Sequence, residues 1–213
     1  MKKVAVILSG CGVFDGSEVN EAILTLLSLE EQGLSYNCFA PSMDFNSVNH
    51  IDNTEGDVRN VLVESARLTR GHISPLESLN VDDFQSLVVV GGFGVAKNLS
   101  NFAKGLDFEI LPSFKEILCN FKKRKKWVGL MCIAPIVLPF IYKKPICTIG
   151  HCKDTSLFIE RNGGTHVECE VVNIVCDNDN HIVTTPAYML ARNIIEAKEG
   201  INKLISKLAG EIK

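Results

Sequence analysis

The sequence has little tryptophan, few aromatic residues, no excess of positive charge and no long apolar run. It contains one Trp and 7% aromatic residues, and its 22 basic and 25 acidic side chains leave a formal net charge of −3. Nucleic-acid binding depends on a basic surface that neutralises phosphates, so this balance argues against a nucleic-acid partner. The longest uncharged stretch, residues 127–142, contains two prolines and is shorter than the roughly 18 apolar residues typical of a membrane-spanning helix. We therefore expect no membrane partner either.

Cysteine is present, but the patterns typical of structural disulfides or of metal ligands are absent. Eight cysteines among 213 residues fall far below the roughly 8–10% of a disulfide scaffold, and no two of them have C-x-x-C spacing. A loose group fits no common zinc template: Cys147, His151, Cys152, His166 and Cys169. We expect reduced thiols, no metal and no cofactor.

The first residues resemble a secretory signal, but the apolar core is too short. Only five residues separate Lys3 from Ser9, whereas a signal core needs about 7–15. Together with the expected reduced thiols, this predicts a cytoplasmic protein.

Length and patterning predict a single domain over residues 1–213. A chain of about 200 residues buries about 70% of its surface on folding, and no repeat or linker divides this one. The predicted strands are residues 4–8, 36–40, 86–90, 127–131, 146–149, 171–176 and 182–185, and the predicted helices are residues 18–32, 58–69, 110–121, 135–142 and 188–208. The alternation of strands and helices predicts an α/β fold, a three-layer α/β/α sandwich on a mostly parallel sheet.

Cys132 is the strongest candidate for a reactive residue. It follows a predicted buried strand and precedes a predicted helix that begins with Pro135. A sharp turn at this point would hold the side chain above the sheet, and the helix N-terminus would stabilise a thiolate there. The alternative is that Cys132 is one more small buried apolar residue.

Glycine-rich turns follow two other predicted strands at the same edge of the sheet. The backbone N–H groups of Gly91, Gly92 and Phe93 could bind substrate and, paired with that of Ile133, form an oxyanion hole. Gly10 begins the equivalent turn after the first strand. The alternative is a glycine-rich turn that contacts no substrate.

A nicotinamide cofactor is not expected at the first turn. Residues 10–16 are one residue longer than the G-x-G-x-x-G spacing, and no Asp or Glu ends the second predicted strand. That acid would bind the ribose of a dinucleotide.

Glu18 and Glu21 lie three residues apart at the start of the first predicted helix. At this spacing both can project from roughly the same face, over the edge of the sheet that also carries Cys132. Either could share a proton with the thiol or act as a general base. The alternative is that both compensate the helix dipole.

Five segments together carry a family resemblance. They are LSGCGVFDGSE at residues 8–18, RNVLVESAR at 59–67, GGFGVAKNLSNFA at 91–103, MCIAP at 131–135 and VTTPAYM at 183–189. The protein resembles the isoprenoid biosynthesis glyoxalase family, also called enhancing lycopene biosynthesis protein 2. That family is a branch of the class I glutamine amidotransferase-like superfamily, alongside the PfpI-type proteases.

The resemblance implies a flavodoxin-like, usually dimeric protein whose nucleophile-elbow cysteine is Cys132. It also implies a cofactor-independent glyoxalase activity, in which Cys132 adds to methylglyoxal or glyoxal as a hemithioacetal and the hydroxy acid is released. Glu21 ranks slightly ahead of Glu18 as the proton carrier. We expect a further group to line or support the site: Lys97, Asn98, Thr185 and Pro186, with Arg59 and Tyr188 at the mouth.

Two departures from the superfamily bear on the chemistry. Ile133 stands where many members have histidine, so proton transfer would depend on a glutamate. His166 and Glu168 match the His-x-Glu of amidotransferases but lie outside the expected position before the final helix, so amidotransfer is not expected. Two alternatives to a glyoxalase remain open. One is a non-catalytic redox-sensing or metabolite- or partner-binding protein, and the other is a cysteine amidase or peptidase.

Overall fold

The computed structural model describes residues 3–105 and 107–212. The strands are β1 (Lys3–Ile7), β2 (Ser35–Ala40), β3 (Asp44–Val48), β4 (Glu55–Asn60), β5 (Ile73–Pro75), β6 (Ser86–Val89), β7 (Trp127–Met131), β8 (Ile146–Cys147), β9 (Thr165–His166), β10 (Val175–Asp177) and β11 (Ile182–Thr185). The α-helices are α1 (Val19–Glu31), α2 (Val61–Leu68), α3 (Gly94–Lys97), α4 (Pro112–Lys123), α5 (Lys153–Arg161) and α6 (Ile194–Glu211).

A seven-stranded sheet with the order β10-β11-β7-β6-β1-β2-β5 forms the middle layer. Neighbouring strands of this sheet are parallel, except that the edge strand β10 runs antiparallel to β11. Helices cover both sides, so β6, β7 and β11 are buried at every residue. This confirms the predicted three-layer, flavodoxin-like α/β/α sandwich with a mostly parallel sheet.

The apolar runs predicted the central strands well, because a strand that is buried on both faces has a continuous apolar sequence. β7 and β11 have the predicted bounds, and β1, β2 and β6 agree within a residue or two. All four of the strands β1, β6, β7 and β11 end at the same edge, since they are parallel. The turns after these strands therefore converge.

The helix predicted over residues 58–69 is present as α2, but it is shorter, and residues 58–60 belong to β4. β3 and β4 form an antiparallel hairpin that the sequence did not indicate. The side chain of Asn60 accepts hydrogen bonds from the N–H groups of Leu62 and Val63, so it starts the helix at Val61. The hairpin escaped prediction because β4 is exposed along most of its length and has no apolar run.

The segment after Cys132 also differs from its prediction. Residues 135–142 were expected to form an α-helix, but a seven-residue 3-10 helix, Ala134–Phe140, occupies this place and contains Pro139. A proline inside a helix removes one backbone donor and clashes with the preceding turn, which disfavours a regular α-helix.

Several other bounds shift. The last helix was expected from residue 188, but α6 starts at Ile194, after a separate 3-10 turn, Ala187–Met189. β8 covers only the first half of the predicted strand 146–149 and pairs with β9 in a small separate sheet. Of the strand predicted at 171–176, only the last two residues are in a strand, β10, and the first four are not. The predicted helix 110–121 is α4, while β5 and α5 were not predicted. No helix within residues 3–105 and 107–212 is long and apolar enough to span a membrane.

Candidate active site

Cys132 sits on a sharp turn at the end of β7. Its φ of 58° lies in the left-handed region, which residues other than glycine rarely adopt. The Cys132 N–H donates to the carbonyl of Thr185 (3.0 Å), the last residue of the neighbouring strand β11. The side chain is buried, with 7% of the residue exposed. The strand and turn expected at Cys132 are therefore present, and the backbone is held in an unusual conformation by the sheet itself.

Glu21 meets Cys132 across Gly91. Glu21 lies in the first turn of α1 and is fully buried. A carbon added to Gly91 would lie 2.4 Å from Glu21 Oε2, 2.4 Å from Cys132 Cβ and 3.0 Å from Cys132 Sγ. The carboxyl oxygen and the thiol therefore flank a space too small for a methyl group. Only glycine at this position lets the two side chains approach each other.

The two carboxyl oxygens of Glu21 have different surroundings. Oε1 accepts a hydrogen bond from the backbone N–H of Tyr188 (3.0 Å). Oε2 faces Cys132 and makes no hydrogen bond of normal geometry with any described residue. It is nevertheless close enough to the thiol for each group to change the pKa of the other. One oxygen is thus fixed by the backbone, and the other is left for the thiol or a substrate.

Burial dominates the electrostatics of this pair. It raises the pKa of Glu21 from its ordinary 4.5 to about 8; the N–H of Tyr188 opposes this shift and the charge of Glu18 adds to it. The Glu21 carboxyl group is therefore protonated at neutral pH. Burial, followed by the charge of Glu21, also raises the pKa of the Cys132 thiol well above its usual range. Loss of the first proton leaves a single negative charge for the pair to share.

The expectation that a helix N-terminus lowers the pKa of Cys132 is wrong. The helix is a short 3-10 segment without a side-chain cap, and the thiol is buried beside a carboxyl group, so its pKa is raised. The N–H groups of Gly92 and Ile133 do lower the pKa of Cys132. The predicted donors Gly92 and Ile133 are therefore directed at the sulfur, where they favour negative charge. The N–H of Gly91, in contrast, lowers the pKa of Glu21.

Phe93 does not contribute a donor to this site. Its N–H donates to the carbonyl of Val13 (2.8 Å), and the residue is 45% exposed. Gly92 is held against the turn after β1, because a carbon added to it would lie 2.4 Å from both Glu18 N and Gly16 O. The glycine-rich turn therefore packs closely on the first turn of the chain.

Glu18 is the N-cap of α1. Its Oε2 accepts a hydrogen bond from the N–H of Glu21 (2.7 Å), and its own N–H donates to the carbonyl of Gly91 (3.1 Å). The first contact caps α1, and the second ties the start of α1 to the glycine-rich turn. Of the two glutamates expected near Cys132, Glu21 is the one whose carboxyl group faces the thiol, while Glu18 holds Glu21 and Gly91 in place.

Two other predicted residues, Lys97 and Asn98, bind the first loop, residues 9–18, and Gly10 within that loop binds Ser65. Lys97 Nζ donates to the carbonyl of Phe14 (2.7 Å). Asn98 Nδ2 donates to the carbonyls of Ser9 and Asp15, both at 2.8 Å. The N–H of Gly10 donates to Ser65 Oγ (2.8 Å). These contacts therefore hold the first loop in shape, and they use both donors of Asn98 Nδ2.

Thr185 and Pro186 lie directly beside the turn of Cys132. The Thr185 carbonyl accepts the Cys132 N–H, and its Oγ1 donates to the carbonyl of Asn173 (2.8 Å). Pro186 is buried and leads into Ala187 and Tyr188. Sequence reasoning placed Tyr188 at the mouth of the site but missed its backbone N–H, which no residue type reveals.

Arg59 lies in a different place from the one expected. Its Nη1 is 3.4 Å from Glu64 Oε2, and Arg67 Nε is 3.1 Å from the same oxygen. Arg59 also lines a polar cavity of about 330 Å³ between the first loop and the β3–β4 hairpin, with Asp15 and His50. The structure therefore places Arg59 in an ion cluster around Glu64.

The histidines considered as metal ligands or triad members are not gathered into a site. His166 lies on β9, where its Nε2 accepts the N–H of Ile149 (3.3 Å) and burial lowers its pKa. His151 is exposed. Within the described ranges, no three His, Cys, Asp or Glu side chains are arranged to hold a metal ion.

Comparison with known proteins supports the predicted family. No family model matches the chain. Glutamine amidotransferase-like class 1 domain-containing protein 3, a mitochondrial protein of Homo sapiens, is 37% identical over 221 positions that cover 97% of this chain and 82% of the human protein. A crystal structure from Ehrlichia chaffeensis, of an isoprenoid biosynthesis protein with an amidotransferase-like domain, is 39% identical and matches with a TM-score of 0.93 over 100% of both chains.

A more distant structure shares the fold alone. Glyoxalase III from Candida albicans has a TM-score of 0.64 at 14% identity, over 100% of this chain and 98% of that protein. The human and Ehrlichia proteins, in contrast, align along nearly the whole chain at an identity that shows common ancestry. The chain therefore belongs to the family of glutamine amidotransferase-like class 1 proteins, as its sequence motifs indicate.

Proposed function

We propose that the protein is a cofactor-independent glyoxalase that converts methylglyoxal and glyoxal to the corresponding hydroxy acids. The observation that carries this proposal is the approach of Cys132 and Glu21 across Gly91. A nucleophile and a proton carrier whose pKa of about 8 lies near neutral pH are the two groups that the reaction requires. The fold relationship to a glyoxalase III is consistent with it.

The first step is addition of the thiol to the aldehyde. Cys132 Sγ attacks the aldehyde carbon, so a carbon–sulfur bond forms and the carbonyl π bond breaks. The thiol proton passes to the aldehyde oxygen, and Glu21 relays it because Oε2 faces the thiol. The N–H groups of Gly92 and Ile133 favour negative charge on the sulfur during the attack. The product is a hemithioacetal.

The second step is an internal redox reaction followed by hydrolysis. The C–H proton of the hemithioacetal is removed and returned to the neighbouring carbon, and its hydroxyl proton passes to the neighbouring carbonyl oxygen, so the first carbon becomes a thioester and the second an alcohol. No external oxidant or reductant is needed. Glu21 accepts the C–H proton in its ionised form and then donates it, since a group with a pKa of about 8 populates both forms near neutral pH. Water then attacks the thioester, the carbon–sulfur bond breaks, and lactate or glycolate leaves as the thiol is protonated.

Burial of the pair favours a small substrate. Cys132 is 7% exposed and Glu21 is fully buried, so a two- or three-carbon aldehyde reaches the thiol more readily than a peptide does. The same burial weighs against a redox sensor, because cysteines that are easily oxidised are solvent-accessible.

Turnover of purified protein with methylglyoxal tests the proposal, with lactate measured as the product. We expect Cys132→Ser to lower kcat/KM at least about a thousandfold, and Glu21→Gln to lower it about a hundredfold or more. The matched control is Cys176→Ser, at a half-buried cysteine on the edge strand β10, which should retain activity. Wild-type protein that makes no hydroxy acid, or full activity in Cys132→Ser, would rule the proposal out.

The partner and the compartment remain predictions. The homodimer implied by the resemblance can be checked by sedimentation equilibrium, and the absence of a nucleic-acid or membrane partner by binding assays. A cytoplasmic location is to be tested by fractionation, because the human relative is named a mitochondrial protein.

A further inference from the structure

A four-residue segment, residues 185–188, contacts both members of the Cys132–Glu21 pair. At its start, the carbonyl of Thr185 accepts the N–H of Cys132 (3.0 Å). At its end, the N–H of Tyr188 donates to Glu21 Oε1 (3.0 Å). Cys132 and Glu21 are 111 residues apart in the chain, so this short segment is a direct backbone link between the nucleophile and the proton carrier.

The backbone of the 185–188 segment turns sharply at Ala187. Ala187 has a φ of 45°, in the left-handed region, and is fully buried. Pro186 before it is fixed near its usual φ, at −63°. A left-handed conformation at a residue with a side chain is unfavourable and persists only where the surroundings enforce it. Here it directs the next N–H, that of Tyr188, toward α1.

Both ends of the segment are anchored by side chains. Thr185 Oγ1 donates to the carbonyl of Asn173 (2.8 Å). Asn20 Nδ2, on the residue before Glu21, donates to the Tyr188 hydroxyl oxygen (3.2 Å). The segment is therefore fixed to the sheet at one end and to the start of α1 at the other, so the Tyr188 N–H has little freedom to leave the carboxyl group.

We propose that the 185–188 segment is a positioning element that holds Glu21 against Cys132, and that Ala187 is its decisive residue because its left-handed backbone aims the Tyr188 N–H at Glu21 Oε1. The inference rests on the proposed function only in taking Cys132 and Glu21 as the reactive pair. Ala187 and Tyr188 touch no substrate in this role; they act through Glu21.

The titration of Glu21 reports on this contact directly. The Tyr188 N–H stabilises the ionised carboxylate and so opposes the effect of burial on the pKa of Glu21. When this N–H is removed, nothing at Oε1 opposes the rise that burial causes in the pKa of Glu21. The midpoint of the Glu21 titration should then move to higher pH, by about one pH unit for the loss of one hydrogen bond to a charged group.

The experiment follows the carboxyl carbon of Glu21 by NMR, in protein with labelled glutamate, and assigns the signal by its loss in Glu21→Gln. The first variant is Ala187→Val, since a β-branched residue is poorly tolerated at positive φ. The second replaces Tyr188 by its α-hydroxy acid analogue, which exchanges the N–H for an ester oxygen and keeps the side chain. The controls are Ala187→Gly, which adopts positive φ freely, and Tyr188→Phe, which keeps the N–H.

The expected result is a midpoint about one unit higher in Ala187→Val and in the ester protein, a wild-type midpoint in Ala187→Gly, and a smaller shift in Tyr188→Phe, which keeps the N–H but loses the bond to Asn20. If Ala187→Val does not fold, the ester protein decides. An unchanged midpoint in the ester protein, or an equal shift in Tyr188→Phe, would overturn the proposal. No aldehyde is present in this titration, so its outcome is independent of whether the protein proves to be a glyoxalase.

Discussion

Two glutamates in this protein are almost equally buried but have opposite surroundings. Glu64, on α2, is 7% exposed and lies 3.4 Å from Arg59 and 3.1 Å from Arg67. Glu21, on α1, is fully buried, and no Lys, Arg or His of the described residues forms an ion pair with it. Its neighbours are the thiol of Cys132 and the backbone N–H groups of Tyr188 and Gly91.

The comparison shows that burial alone does not tell what a carboxyl group is for. A buried charge with two cationic partners has its desolvation offset and serves to join elements, here the end of β4 to α2. A buried carboxyl group with no cation keeps its proton instead. Glu21 therefore holds, at neutral pH, the proton that an adjacent nucleophile needs.

Filling the space between Glu21 and Cys132 should have the largest effect. Gly91→Ala would place a carbon 2.4 Å from both Cys132 Cβ and Glu21 Oε2. The two side chains must then move apart, so we expect loss of turnover and a decrease of about 1–3 kcal/mol in the free energy of unfolding. Methylglyoxal turnover and urea denaturation measure the two effects.

Gly210→Ala is the matched control. Gly210 lies in α6, and a carbon added there would meet nothing within 4 Å. Alanine is favoured over glycine in a helix, so this variant should retain activity and gain up to about 1 kcal/mol. If Gly91→Ala behaved like Gly210→Ala, the close approach of the thiol and the carboxyl group would be contradicted.

Replacing Glu21 should flatten the pH dependence of stability. The pKa of Glu21 is about 8 in the folded protein and ordinarily 4.5, so between these values the folded state holds one more proton than the unfolded state. The stabilisation from this proton is complete below pH 4.5 and is lost as pH rises through about 8. Glu21→Gln should remove this fall, whose slope is at most about 1.4 kcal/mol per pH unit. Urea denaturation from pH 5 to 9 measures it.

Glu64→Gln should have the smallest effect on stability and turnover, and it is the counterpart of Glu21→Gln. Its arginine partners have side chains that are 45% and 64% exposed, so each pair is partly screened by solvent and contributes about 1 kcal/mol or less. We expect the free energy of unfolding to fall by an amount of that size, to fall less at high salt, and turnover to stay unchanged. A larger effect on turnover than that of Glu21→Gln would invert the roles assigned to the two residues.

The sequence predicted those parts of the structure that residue type determines. β7 and β11 are continuous apolar runs, and the turn at Cys132 follows directly from the end of β7. Glu21 was recognised because its position in the first turn of a helix over the sheet edge is set by helical spacing. The hairpin of β3 and β4 was missed because its exposed strands lack an apolar face.

The rest of the site depends on tertiary packing. Burial at Glu21 arises from elements far apart in sequence, so its raised pKa has no local signal. The hydrogen bond from Tyr188 uses a backbone N–H, which every residue except proline carries. The left-handed conformation at Ala187 is unexpected for alanine, because a sequence pattern would assign positive φ to glycine or asparagine.

The central claim is that Glu21 is a neutral acid beside Cys132 at physiological pH. The most direct test is the NMR titration of the Glu21 carboxyl carbon in the wild-type protein, with the signal identified by its loss in Glu21→Gln. The structure predicts a midpoint of about 8, with the carboxyl group protonated at pH 7. A midpoint near the ordinary value of 4.5 would contradict the account, because Glu21 would then be ionised at neutral pH and have no proton to give.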